Sequence, residues 1–243
     1  MLAGREFLAS RKEIISNKIG IIGHSEGGMV AAMAASQSKD FNLIVMLGSV
    51  GLRMRDVFEE QIKLSFENGE MSREQFELQQ KVNQKVYKMM EQNLDSKMMK
   101  DSLKKFKEAF IENYFDSLAN NPLKRFYAEI LFSDICATKI SHHNLFNLNV
   151  NPSDYIERVS CPVLSLSGSN DRLVISTVNQ EAIRKALIKA GNKDFQIIEQ
   201  EGLNHFFQDC EKGSITEALT LEQTFSPKAL ETITDWIKAH VEK

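Results

Sequence analysis

The sequence predicts an α/β protein built on a parallel sheet, and three features carry that prediction. Two short apolar runs, residues 18–24 (KIGIIGH) and 42–48 (NLIVMLG), flank an alanine-rich stretch, residues 29–36 (MVAAMAAS). A strand, a helix and a strand in succession make a βαβ unit, whose two strands run parallel. The same texture returns after Pro152, where residues 162–168 (PVLSLSG) and 194–199 (DFQIIE) bracket a helical pattern.

The chain opens with MLAGREFLASR. It has no apolar h-region, so it does not read as a signal peptide. Leu2, Phe7 and Leu8, with charged residues between them, read as the last turns of an amphipathic helix. Residues 18–24 form one buried strand and residues 42–48 a second, each apolar without alternation, as a strand covered on both faces should be. The alanines between them favour helix and keep it slim, so that it can lie close against a sheet.

From about residue 52 to 158 the texture changes. Glycine and proline nearly vanish, and Lys, Glu, Gln, Met and Phe dominate. Ser72 and Gln75 form a capping-box pattern ahead of Leu78, Val82, Val86 and Met90, spaced four apart. Leu103, Phe106, Phe110, Tyr114 and Leu118 recur at three and four. These are long amphipathic helices with one apolar face each, packed helix against helix. Beyond them, residues 177–190 read as a helix with a capping box at Thr177 and Gln180 and a stop at Gly191. Ser226 and Pro227 open a final helix, with Leu230, Ile233, Ile237 and Val241 on its buried face.

Composition narrows the possibilities. At 243 residues, 42% hydrophobic and 26% charged, the chain fits one large domain or two small ones. A net charge of -3 gives no electrostatic case for nucleic acid or an anionic membrane. No apolar run approaches a membrane span. Cys136, Cys161 and Cys210 are odd in number and form neither a disulfide framework nor a zinc pattern. His142 and His143 are adjacent, with no carboxylate at ligand spacing, so neither a metal nor a cofactor is expected.

The chemistry concentrates in Gly23-His24-Ser25-Glu26-Gly27, between the first strand and the slim helix. A serine alcohol is a weak nucleophile, and acyl transfer needs a contacting base and donors aimed at the developing oxyanion. A G-x-S-x-G turn between strand and helix supplies such a site, its flanking glycines sparing a strained turn from clashes. Ser25 then stands beside a helix N-terminus, and the Glu26 N–H faces the substrate oxygen. The partners should follow in the order acid, then histidine. Asp171 lies just past the third strand and His205 just past the fourth, so both fall on the sheet edge where such sites gather. Cys210, five residues beyond His205, has no elbow before it and reads as an incidental or buried thiol.

The blocks IGIIGHSEGGMVAAMAAS, CPVLSLSGSNDRLV and EGLNHFFQDCEKG, with FSPKALETITDWI, resemble the α/β-hydrolase superfamily, in the branch of esterases near dienelactone hydrolases and S9/S33-type serine peptidases. The resemblance covers about residues 1–50 and 150–243. It implies an α/β-hydrolase core at 1–51 and 150–243, a parallel sheet flanked by helices, and a helical cap insertion at 52–149. Ser25, Asp171 and His205 take the nucleophile, acid and base positions, Glu26 gives an oxyanion amide, and His24 is structural. The expected substrate is a small-molecule ester or acyl compound, with no cofactor and no metal. The same triad serves peptidases and acyltransferases.

One departure stands out. Members of this superfamily place four strands and a helix before the elbow, and the stretch before Ser25 is too short for them. The loop that gives the second oxyanion amide is therefore expected to be missing, together with the N-terminal strands. The first strand would then lie at an open edge without the charge, proline or bulge that usually protects one. This predicts the C-terminal part of a longer hydrolase, association through that edge, or a truncated, non-catalytic binding remnant.

Overall fold

A computed structural model describes residues 1–92, 96–115, 146 and 148–242. Leu118, Cys136, His142 and His143, and the side chain of Tyr114, lie outside the described residues. By internal contacts the chain divides into two compact units, Met1–Gln61 with Asn151–Lys243, and Ile62–Val150.

The first unit holds a four-stranded, all-parallel sheet of β1 (Ile21–His24), β2 (Ile44–Leu47), β3 (Val163–Gly168) and β4 (Phe195–Gln200), hydrogen-bonded in that order. Register runs Ile21 to Ile44, Ile44 to Val163 and Val163 to Phe195. Its helices are α1 (Leu2–Ala9), α2 (Glu26–Gln37), the start of α3 (Met54–Glu67), α6 (Ser153–Ile156), α7 (Ser176–Lys189), α8 (Ile215–Ala218) and α9 (Pro227–Val241). The second unit holds the rest of α3, then α4 (Arg73–Met90) and α5 (Ser96–Phe115).

Strand alternation sorts the core into two layers. Ile44 and Met46 turn to one face and pack with Ala31, Ala35, Ile156, Ile183 and Leu187 from α2, α6 and α7. Val45, Leu47, Leu164 and Leu166 turn to the other and pack with Ala229, Ile233 and Trp236 of α9. Alanines on α2 let it sit directly on β1 and β2. The sheet is thus covered on both faces, which is why β2 and β3 are buried at every position. β1 is different: Ile21 and Gly23 are buried, while Ile22 is 55% exposed and His24 also opens outward. Among the described residues it pairs only with β2, so its other edge is open.

In the second unit, Ser72 and Gln75 make the full capping box of α4, and Leu78, Val82, Val86 and Met90 are all buried. On α5, Met99, Leu103 and Phe110 are buried.

Three sequence expectations need correction. The N-cap of α7 is Ile175, and no side chain caps it. Gln180 is instead drawn into the core. It accepts from Ser165 Oγ at 2.6 Å and donates to Ser167 Oγ at 2.8 Å, satisfying two hydroxyls that β3 buries. On α9, Leu230 is 52% exposed, and Ala229 and Trp236 take the buried face with Ile233. The wide indole sets which side of the helix turns inward. Ser226 is the α9 N-cap and Pro227 its first residue, but the serine side chain makes no cap bond. The chain is held there by Ser226 N–H donating to Phe207 O at 2.7 Å. At the N-terminus α1 does form, with Leu2 against the core and Phe7 and Leu8 exposed.

Candidate active site

β1 ends at His24 and α2 begins at Glu26, so a single residue makes the turn between them. That residue, Ser25, has φ 56° and ψ -121°. A non-glycine residue with positive φ is strained, and the strain has to be held by its surroundings. Here Ser25 N–H donates to Leu47 O on β2 at 2.7 Å, which anchors the turn to the sheet. The side chain is partly exposed at the C-terminal edge of the sheet.

The glycines around Ser25 divide their work unevenly. A Cβ on Gly23 would lie 2.1 Å from Gly27 O, so the turn closes only because Gly23 has none. Gly27, the last residue of the motif, meets nothing within 4 Å and does not relieve a clash in the way its spacing suggests. The second tight position is Gly28, where a Cβ would lie 2.3 Å from Ser49 Oγ. Glu26 is the first residue of α2, which puts its N–H at the positive end of the helix.

Asp171 and His205 arrive at the same edge from the two strands beyond. Asp171 follows β3 in a turn closed by its N–H to Gly168 O. Its Oδ1 accepts from the N–H groups of Leu173 at 2.9 Å and Val174 at 2.7 Å. Its Oδ2 lies 2.7 Å from His205 Nδ1. Asp171 is 3% exposed and His205 5%. The loops meet because Gly168 has no side chain: a Cβ there would be 2.1 Å from Leu203 O.

The His205 turn is built by its neighbour. Asn204 Oδ1 accepts from Phe206 N and Gln208 N, and Asn204 Nδ2 donates to Gln208 Oε1 at 2.9 Å. Phe207 adopts φ 61° there and is fully buried in the α9 face of the core.

Two residues beside the Asp171–His205 pair go beyond the sequence reading, which left Gly48 unmentioned and gave His24 only a structural place. Gly48, the residue after β2, has φ 51°, and a Cβ on it would lie 3.3 Å from both Asp171 Oδ2 and His205 Nδ1. The glycine at the end of an apolar strand was the available signal. The other is His24, whose Nε2 lies 2.8 Å from the carbonyl oxygen of His205. Their rings are 4.7 Å apart. Desolvation of its inner edge pushes the His24 pKa down, opposed by the bond to that carbonyl.

Cys210 Sγ lies 3.4 Å from Gly202 O, and burial pushes its pKa up, the wrong direction for a nucleophile. Among the described residues, no group of three or more His, Cys, Asp or Glu side chains is placed to hold a metal ion. No helix among them is long and apolar enough to cross a membrane.

A parallel sheet with a strained serine at a strand-to-helix turn, and an acid and a histidine after later strands, is the layout of the α/β-hydrolase fold. The family model described as BAAT / Acyl-CoA thioester hydrolase C terminal matches residues 3–117. The structure reported as DcsB in complex with its substrate analogue is similar over 98% of this chain and 71% of its own, at 15% identity and a TM-score of 0.50. An esterase of Pyrococcus furiosus is similar over 98% of this chain and 59% of its own, at 14% identity and a TM-score of 0.48. A monoacylglycerol lipase of Paleococcus ferrophilus is similar over 98% and 75%, at 17% identity and a TM-score of 0.45. No curated protein sequence matches. This chain spans 59% of the Pyrococcus esterase and 22% of an acylaminoacyl peptidase from Pyrococcus horikoshii. These likenesses give the chain the α/β-hydrolase fold.

Proposed function

We propose that the chain is a serine hydrolase that cleaves carboxylic esters through an acyl-enzyme on Ser25. The observation that carries this reading is the Asp171–His205 contact of 2.7 Å, formed between two loops at the sheet edge that also bears the strained Ser25. With Nδ1–H donating to Asp171 Oδ2, the neutral imidazole leaves Nε2 as the basic nitrogen. His205 Nε2 takes the Ser25 Oγ proton as Oγ bonds to the substrate carbonyl carbon. The tetrahedral oxyanion is met by the Glu26 N–H, and the same proton goes to the leaving alcohol as the ester C–O bond breaks. Water, deprotonated by His205, then releases the acid and restores Ser25.

Within this reading residues 52–149 are a helical insertion between the two parts of the core, at 1–51 and 150–243. The open edge of β1 is where association with another strand would occur.

The family description raises a second substrate class, the acyl thioester. Amide cleavage and acyl transfer need the same three side chains. A panel of short esters, acyl-CoA thioesters and aminoacyl amides separates these. A fluorophosphonate probe tests the nucleophile: it should label Ser25 in the purified chain, and labelling that persists in Ser25→Ala would remove the assignment. A binding remnant would instead be stabilised by esters on heating without releasing product.

A further inference from the structure

His24 is tied to the residue proposed as the base rather than to the nucleophile beside it. It ends β1, and its outward face is open to solvent. Its Nε2 nevertheless reaches 2.8 Å from His205 O. A carbonyl oxygen only accepts, so Nε2 carries a proton, and neutral His24 is fixed as the tautomer with a bare Nδ1. The ring lies 4.7 Å from that of His205 and 6.2 and 6.3 Å from those of Phe206 and Phe207.

The other backbone ties of this turn lead elsewhere. Leu203 O accepts from Asn170 N beyond β3, and Phe207 O accepts from Ser226 N before α9. Among the described residues, the hydrogen bond from His24 links residues 203–208 to the strand that delivers Ser25. Both ends of it are one residue or less from a proposed reacting group.

We propose that His24 is a positioning residue: its Nε2–H holds the His205 backbone and thereby sets the imidazole against Ser25. This rests on the serine-hydrolase reading. The role needs a donor at the reach of Nε2, which glutamine retains and phenylalanine lacks while filling the same space.

The experiment compares wild type, His24→Phe and His24→Gln in the rate of Ser25 labelling by a fluorophosphonate and in short-ester kinetics. His24→Phe should lower the labelling rate and kcat by about ten- to a hundredfold, since misplacing a catalytic group by an ångström has effects of that size. KM should change little, and His24→Gln should recover most of the rate. Long-range proton–nitrogen NMR on the wild-type chain should show neutral His24 protonated at Nε2. Three results overturn the proposal while leaving the hydrolase reading in place: equal labelling in His24→Phe, no recovery in His24→Gln, or His24 protonated at Nδ1. A wild-type chain that fails to label at Ser25 brings down the hydrolase reading and the positioning role with it.

Discussion

His205 Nδ1 lies 2.7 Å from Asp171 Oδ2, and the two side chains are almost sealed from water. The carboxylate is held from behind by two backbone N–H groups on its other oxygen. Its direction is therefore set by the turn after β3, whether or not the histidine is present. A fixed acceptor selects the tautomer that leaves His205 Nε2 free to take a proton.

Asp171→Asn tests that selection. The amide oxygen can keep the bonds from Leu173 and Val174, so the turn should survive. The amide N–H₂ then faces Nδ1 and favours the opposite tautomer, with Nε2 already protonated. The expected result is a kcat about 10⁴-fold lower, the size of effect known for this change in a serine triad, with little change in KM or melting temperature. Ester turnover within tenfold of wild type would show that the contact is structural only.

Gly48→Ala should damage stability and activity together. Alanine at φ 51° is strained, and its methyl would press on both partners of the pair at 3.3 Å. Loss of a left-handed glycine is worth about 1 kcal/mol or more. In a chain of this size each kcal/mol lowers Tm by about 2–4 °C. Differential scanning calorimetry and ester turnover should both fall, and a variant with wild-type kcat would mean that the pair has room to spare.

The parts legible in the sequence were those with a period or a motif. The α4 capping box and its four buried apolar residues follow from spacing alone, because the side chains that cap and pack lie close in the chain. The order of Ser25, Asp171 and His205 after three different strands was legible because a parallel sheet collects its loops on one edge. Whatever depended on a partner distant in sequence was hidden. Thr177 and Gln180 have the spacing of a cap, yet Gln180 is claimed by serines on β3. Leu230 fits the apolar stripe of α9, yet Trp236 turns the helix otherwise. Gly48 and His24 matter through contacts with residues more than a hundred positions away.

Cys161 should be a slow thiol. Burial pushes its pKa up to about 11, so thiolate is scarce at ordinary pH. At pH 8 the thiolate fraction is roughly 0.1%, against roughly a quarter for an unperturbed cysteine. Peptide mapping after brief iodoacetamide treatment of the folded chain should find Cys161 almost unmodified, and unfolding should expose it. Rapid modification in the native state would contradict its burial.

Ile22→Lys should reduce self-association. Ile22 is 55% exposed on β1, whose outer edge is unpaired among the described residues. A lysine there is the usual protection of an open edge, and an exposed position should tolerate it with little change in Tm. Light scattering across a concentration series should show a smaller apparent mass for the variant. An unchanged mass distribution would place association elsewhere or show that there is none.

His24 should make the folded state sensitive to mild acid. Its pKa is lowered chiefly by desolvation, with the nearby His205 adding to that and the His205 carbonyl and Asp171 opposing it. The unfolded chain, with histidine at about 6.5, then binds more protons than the folded one as pH falls below that value. Stability rises with pH wherever the unfolded state holds more protons, so the contribution is fully present above about pH 6.5 and declines as pH drops toward the lowered folded value. Replacing His24 with glutamine removes this titration and keeps the donor. The fall in Tm between pH 7.5 and pH 5 should therefore be larger for wild type than for His24→Gln. Equal losses would mean that His24 titrates alike folded and unfolded, and that its inner edge is wetter than the contact with His205 implies.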